Sequence, residues 1–311
     1  MPRRYAGAAL RLDGGNTMDA PSPDVEVDEA LAARLVDEQH PDLAGPVRLV
    51  ANGWDNAMLR LGEQHLIRMP RRRLSARLVE HELRWLPELA RHSPVPLPVP
   101  LRAGAPGAGY PFVWSIGPWF EGVPAADLDP AARREAAPAL AAFVASLQRP
   151  APADAPVNPY RGVPLAERDA VVGPRIASGV LDAVADRARL ERVWRLALAA
   201  PGWRGPAVWL HGDLHPGNLL LARPDGPLAA VLDFGDVTSG DPATDLAAAW
   251  LCLDAEGRRR FRDALPGFDE ADWARARGWA LAVASAIVET VGVAGPMGRV
   301  GALALAELAD G

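Results

Sequence analysis

The sequence predicts an α+β chain in which a small strand-rich lobe precedes a larger helical one. Three observations lead there: short apolar runs divided by turn signals between residues 47 and 69, an alanine-rich helical pattern through the second half, and a break at Gly117-Pro118 between them. At 311 residues the chain has interior enough for one large domain or two modest ones. The break divides a first lobe, residues 24–117, from a second, residues 118–311.

Residues 1–23 are rich in Gly, Pro and charge without apolar periodicity and read as a disordered arm, with Met18 as an alternative start. Over residues 28–40, Leu31, Leu35 and Val36 recur near helical spacing and Pro41 stops the pattern, so a short helix is expected. Val47-Arg-Leu-Val-Ala, Ala57-Met-Leu-Arg-Leu and His65-Leu-Ile-Arg-Met read as strands, separated by Asn52-Gly53 and Gly62-Glu63. A helix follows over residues 74–90, with Leu78, Leu83, Leu86 and Leu89 on its apolar side, and a further strand over residues 110–116. The second lobe offers helices at 131–147 and 181–198, with the proline-rich stretch 150–164 between them. Val208-Trp-Leu and Ala230-Val-Leu then run directly into polar clusters, and residues 242–308 read as helices.

Composition narrows the function. The single cysteine, Cys252, excludes an internal disulfide or a cysteine-bound cluster and suits the cytoplasm. Arg3-Arg4 precedes too short an apolar stretch for a signal peptide. The longest apolar run, residues 279–288, is about half the ~20 residues of a spanning helix, so no membrane partner is expected. A net charge of −6 argues against nucleic acid as a partner and is compatible with a cationic substrate.

The chemistry concentrates in His211-Gly-Asp213-Leu-His215-Pro-Gly-Asn218 and in Leu232-Asp233-Phe234-Gly235. Phosphoryl transfer needs a carboxylate to receive the acceptor hydroxyl's proton and hard oxygen ligands to hold Mg²⁺ against the phosphates. Asp213, Asn218 and Asp233 can supply those parts. The five-residue step from Asp213 to Asn218 and the later Asp233 follow the protein-kinase pattern, with Gly212 in place of the kinase arginine. Taken singly, such residues after strands are as often turn formers or helix caps. A metal-hydrolase cluster of His211, Asp213 and His215 is the competing reading, but His40, His65, His81 and His92 all lie in the first third.

At these motifs the chain resembles the aminoglycoside phosphotransferase family, whose loop commonly reads HGDxxxxN; Gly240-Asp-Pro-Ala-Thr-Asp245-Leu also matches its GDPxxDLA stretch. The resemblance covers about residues 45–255. It implies a protein-kinase-like fold, a small β-rich N-lobe over a larger, mainly helical C-lobe, with ATP or GTP in the cleft. It further implies Asp213 as catalytic base, Asn218 and Asp233 as Mg²⁺ ligands, and Asp245 as a structural acceptor for the loop backbone. The nucleotide loop would be Asn52-Gly53-Trp54-Asp55-Asn56, bringing Asn52 and Trp54 to the nucleotide, and the hinge would run through Trp114-Ser-Ile116-Gly117-Pro-Trp119, with Ile116 at the purine edge.

One departure stands out. The family's usual lysine on the third strand falls at Arg68, whose helix partner would be Glu82, with Glu80 as the alternative, while Arg71, Arg72 and Arg73 read as solvated charges. His211 would brace the loop, and His215 would support it before Pro216. Asn158-Pro-Tyr-Arg161-Gly-Val-Pro-Leu resembles a stretch in an uncharacterised bacterial branch of the family, with no role attached. Trp209, Trp250 and Trp279 read as core; Glu289, which interrupts an apolar run, either points into an acceptor pocket or marks a solvent-facing helix side. The acceptor is then a small-molecule hydroxyl, on an aminoglycoside, a macrolide, a sugar, an amino alcohol or another metabolite. A catalytically silent nucleotide-binding homologue is the second class of reading, motivated by Arg68.

Overall fold

Residues 22–53 and 55–310 are described in the computed structural model; most of the expected N-terminal arm and Trp54 lie outside them. Helix α1 (Glu29–Gln39) starts where Asp28 Oδ1 accepts from Leu31 N at 2.7 Å, and it buries Leu31, Ala32, Leu35 and Val36. Strands β1 (Val47–Asn52), β2 (Asn56–Leu61) and β3 (His65–Pro70) form an antiparallel meander. Helix α2 (Arg73–Ala90) follows, then β4 (Arg102–Gly104) and β5 (Trp114–Pro118), giving a five-stranded sheet in the order β1-β2-β3-β5-β4.

The strand expected over residues 110–116 begins later, because Gly107 and Tyr110 exchange backbone hydrogen bonds at 3.0 and 2.7 Å in a turn. Strand β4 was not anticipated; three residues are too few to show a period. Its Gly104 is obligatory, since a Cβ there would lie 1.8 Å from the Trp114 indole.

The second lobe contains β6 (Val123–Pro124), α3 (Ala137–Leu147), α4 (Asp169–Ala177) and α5 (Arg187–Ala199). The site strands are next: β7 (Val208–Leu210), β8 (Leu219–Leu221), β9 (Leu228–Val231) and β10 (Thr238–Gly240). Helices α6 (Ala243–Leu246), α7 (Ala248–Cys252), α8 (Ala255–Asp263), α9 (Glu270–Val291) and α10 (Gly295–Asp310) complete it. Helix α3 is shorter than expected because residues 130–136 wind as a 3₁₀ helix. Helix α5 starts six residues late: Asp186 caps it by accepting from Arg189 N at 2.9 Å. Two small antiparallel sheets, β10-β7 and β6-β8-β9, carry the loops of the site.

One core lies between α1 and the five-stranded sheet, where Leu35, Leu59, Ile67, Met69 and Trp114 are fully buried. The other fills the helical lobe and includes Trp209, Trp250 and Trp279. It also takes in Trp85, Leu86 and Leu89 from the far end of α2, so this helix bridges the two cores and its rigidity couples β3 to the helical lobe. Among the described residues no helix is long and apolar enough to cross a membrane.

Candidate active site

The loop after β7 owes its shape to two residues. Gly212 adopts φ 85°, and a Cβ there would sit 2.4 Å from the Asp236 carbonyl oxygen, so only glycine fits. Asp245 on α6, wholly buried, accepts from the backbone N–H of His211 at 2.7 Å and of Gly212 at 2.9 Å. Burial pushes the Asp245 carboxyl above its ordinary range, with His211 pulling the other way. His211 packs against Phe234 at 4.5 Å between centroids, the rings tilted by 56°. Its Nδ1 accepts from Asp213 N at 3.2 Å, so Nε2 carries the proton and donates to Leu232 O at 2.9 Å. That bond ties the loop to the β9 end, which bears Asp233.

Asp213 is held at both oxygens. His215 Nε2 lies 3.1 Å from Oδ2, while His215 Nδ1 accepts from Gly217 N at 3.0 Å, which fixes the imidazole's orientation. Arg161 Nη2 lies 3.3 Å from Oδ1. Asn218 Nδ2 donates to the Asp213 carbonyl at 2.9 Å, which leaves the amide oxygen for another partner. Burial disfavours the Asp213 charge, but His215 and then Arg161 hold the carboxyl well below its ordinary range. It is ionised at neutral pH.

Asp233 has φ 59°, the left-handed region that Asp tolerates better than most residues, and its side chain is half exposed to the cleft. Its Oδ1 accepts from Arg68 Nη2 at 2.8 Å, and Arg68 Nη1 lies 3.0 Å from Glu82 Oε1. The Asn56 amide, with its oxygen toward the guanidinium, accepts from Nε at 3.1 Å and Nη2 at 3.2 Å. Burial opposes the Arg68 charge, yet Glu82 and then Asp233 outweigh it and keep the guanidinium firmly protonated. Burial pushes Glu82 up to about 7, against the pull of Arg68. Glu80 is exposed and takes no part.

Asp213, Asn218, Asp233, Arg68 and Glu82 line one cleft of about 300 Å³ between the lobes. Two expected nucleotide residues do not. Ile116 is fully buried in the sheet core and its carbonyl accepts from Leu101 N at 2.7 Å; strand alternation turns Ser115 and Gly117 to the cleft instead. Asn52 is exposed at the end of β1, and Gly53, Asp55 and Asn56 line the cleft in its place. Trp54 lies outside the described residues.

Arg71 and Arg72 are not free surface charges. Arg71 Nη1 donates to Gly53 O at 3.2 Å, and Arg72 Nη2 to Asp55 Oδ1 at 2.5 Å, where Ser75 Oγ also donates at 2.6 Å. The start of α2 thus braces the β1–β2 loop. Sequence reasoning also missed that residues 158–161 reach the site: besides Arg161, Asn158 Nδ2 donates to Asp236 Oδ1 at 2.6 Å. Glu289 pairs with Arg175 Nε at 2.7 Å.

A small antiparallel sheet with one crossing helix, set over a helical lobe with acids and an arginine–glutamate pair in the cleft between, is the architecture of a kinase-like phosphotransferase. Residues 46–279 match the Phosphotransferase enzyme family (APH), and the chain belongs to that family of small-molecule kinases. No curated protein matches in sequence. The fold is shared with the GDP complex of wild-type aminoglycoside 2'-phosphotransferase-IIIa, at TM-score 0.63 and 18% identity over 85% of this chain and 90% of that one. It is shared with the streptomycin–ATP–APH(2")-IIa ternary complex at TM-score 0.57 and 16% identity, over 86% and 91% of the two chains. The apoenzyme of macrolide 2'-phosphotransferase MphH from Brachybacterium faecium aligns at TM-score 0.54 and 22% identity, over 89% and 98%.

Proposed function

We propose that this protein is a cytoplasmic, Mg²⁺-dependent phosphotransferase that moves the γ-phosphoryl group of ATP or GTP to a hydroxyl of a small molecule. The observation that carries the reading is the meeting of Asp213, Asn218, Asp233 and the Arg68–Glu82 pair in one cleft, from segments far apart in sequence. Two structural relatives, solved as complexes with GDP and with ATP, support the choice of cosubstrate class.

The donor set suits Mg²⁺. The Asp233 carboxylate and the free Asn218 amide oxygen are hard donors, and Asp233 already faces a cation, Arg68. Two protein ligands suffice for an ion that keeps waters and phosphate oxygens in its shell. When bound, the metal neutralises phosphate charge. Asp213, ionised and oriented by His215, receives the acceptor hydroxyl and its proton. Its weak basicity fits a loose transition state, in which positioning contributes more than proton abstraction. Arg68 takes the phosphate-facing role of the family's lysine: Glu82 anchors Nη1, while Nη2, which lies on Asp233 here, is the donor that phosphate would compete for. That pairing supports turnover over a catalytically silent homologue.

The test is nucleotide binding with and without Mg²⁺. Wild-type protein should bind ATP or GTP in a Mg²⁺-dependent way by calorimetry, and Asp233→Ala should lose that dependence; metal-independent binding by both would overturn the reading. Arg68→Ala should raise the nucleotide KM and lower kcat, Arg68→Lys should keep part of the activity, and the exposed Arg73→Ala should do neither. Unchanged kinetics in Arg68→Ala would remove Arg68 from the phosphate site.

A further inference from the structure

The segment between α3 and α4 brings Arg161 to Asp213 from outside the nucleotide cleft: none of residues 158–161 lines the cleft, yet Arg161 Nη2 lies 3.3 Å from Asp213 Oδ1. The segment is firmly built. Asn158 N donates to Thr238 Oγ1 at 3.0 Å and its side chain to Asp236. Gly162, at φ 71°, packs on β10 so closely that a Cβ would sit 2.8 Å from Ser239 O, and its carbonyl accepts from Asp241 N at 2.9 Å. A rigid turn therefore presents Arg161 on the side where the acceptor must approach Asp213.

The guanidinium is poorly satisfied there. Beyond Asp213 its only hydrogen bond among the described residues is from Nη1 to Tyr160 O at 3.3 Å, and its buried Nε has no partner. Both contacts are at the long end of hydrogen bonding, for a group with five donors. Arg168 stands behind, 5.4 Å over the Tyr160 ring, and no carboxylate among the described residues pairs with it. Burial, and to a lesser extent Arg161 and Arg175, hold the Arg168 guanidinium below its ordinary range. Of the three arginines, only Arg175 has a carboxylate outside the catalytic group, Glu289.

An ammonium arriving beside Asp213 meets Arg161, which already holds one Asp213 oxygen at 3.3 Å, and Arg168, which has no carboxylate partner among the described residues. A carboxylate or phosphate meets donors in a geometry that suits it bidentately. We propose that Arg161 and Arg168 recognise an anionic group of the acceptor, so that the substrate is a hydroxyl compound bearing a carboxylate or phosphate rather than a polycationic antibiotic. The proposal rests on the kinase reading above and specifies its acceptor.

The experiment uses full-length protein loaded with MgADP, which fills the nucleotide cleft, titrated calorimetrically with glucose 6-phosphate, gluconate, glucose, glucosamine and kanamycin. At least one of the two anions should bind ten or more times tighter than glucose, and comparison of the two separates phosphate from carboxylate recognition. Glucosamine and kanamycin should bind no better than glucose. Arg161→Gln and Arg168→Gln should each erase most of the anion preference. MgADP affinity, retained in both variants, reports that they are folded. Absence of an anion preference, a preference for either amine, or an anion preference that survives both substitutions overturns the proposal. Wild-type protein that does not bind MgADP at all overturns the kinase reading, and this proposal with it.

Discussion

Asp213→Asn should lower kcat by ~10²- to 10⁴-fold, the usual contribution of a positioned general base, while leaving nucleotide affinity nearly unchanged. The split follows from where the residue stands. On the proposed reading Asp233, Asn218 and Arg68 would face the metal and phosphates, whereas Asp213, oriented by His215 at one oxygen and meeting Arg161 at the other, would face the acceptor. Asparagine preserves the shape, but it exchanges an ionised acceptor for a neutral amide and must turn its NH₂ toward His215 or Arg161, both donors. Nucleotide consumption and calorimetric nucleotide affinity on the same preparation check the split. Wild-type kcat in folded Asp213→Asn would end the assignment, and a loss confined to nucleotide affinity would move Asp213 to the metal.

What the sequence disclosed was local. The five-residue step from Asp213 to Asn218 sits in one loop, so its geometry travels with the string. Arg68 and Glu82 were legible only through the resemblance, which sets a cation on the third strand and an acid on the helix that follows; the two lie 3.0 Å apart. The hinge was placed by order along the chain, which does not say which side chains face inward: on β5 Ser115 and Gly117 line the cleft, while the Ile116 side chain is buried in the sheet core. Asn52 failed because a turn string does not say which amide folds inward, and Asn56 does so by gripping Arg68. Arg161 meets Asp213 across 52 positions and Asn158 meets Asp236 across 78, contacts that no periodicity announces. Strands β4 and β10 have three residues each and exist through their partners β5 and β7 rather than through propensity.

The other large effect is expected at Asp245, which is wholly buried and does not line the cleft. Its two oxygens accept the N–H groups of His211 and Gly212 inside the helical lobe, where water cannot replace them. Asp245→Ala leaves both donors unpaired at roughly 1–3 kcal/mol each, so a loss of about 2–6 kcal/mol follows, a large part of the ~5–15 kcal/mol that holds a typical domain together. Asp245→Asn should cost about half as much, because the amide keeps one acceptor but turns a donor toward the second N–H. Denaturant unfolding of the three proteins checks the order wild type, Asn, Ala; an Ala variant that unfolds at the wild-type midpoint would show that the loop holds its shape without Asp245. Turnover should fall further than stability alone accounts for at temperatures where the Ala variant is still folded. Gly212 reaches φ 85° against the Asp236 carbonyl only while its N–H is held, and the next residue in the chain is Asp213.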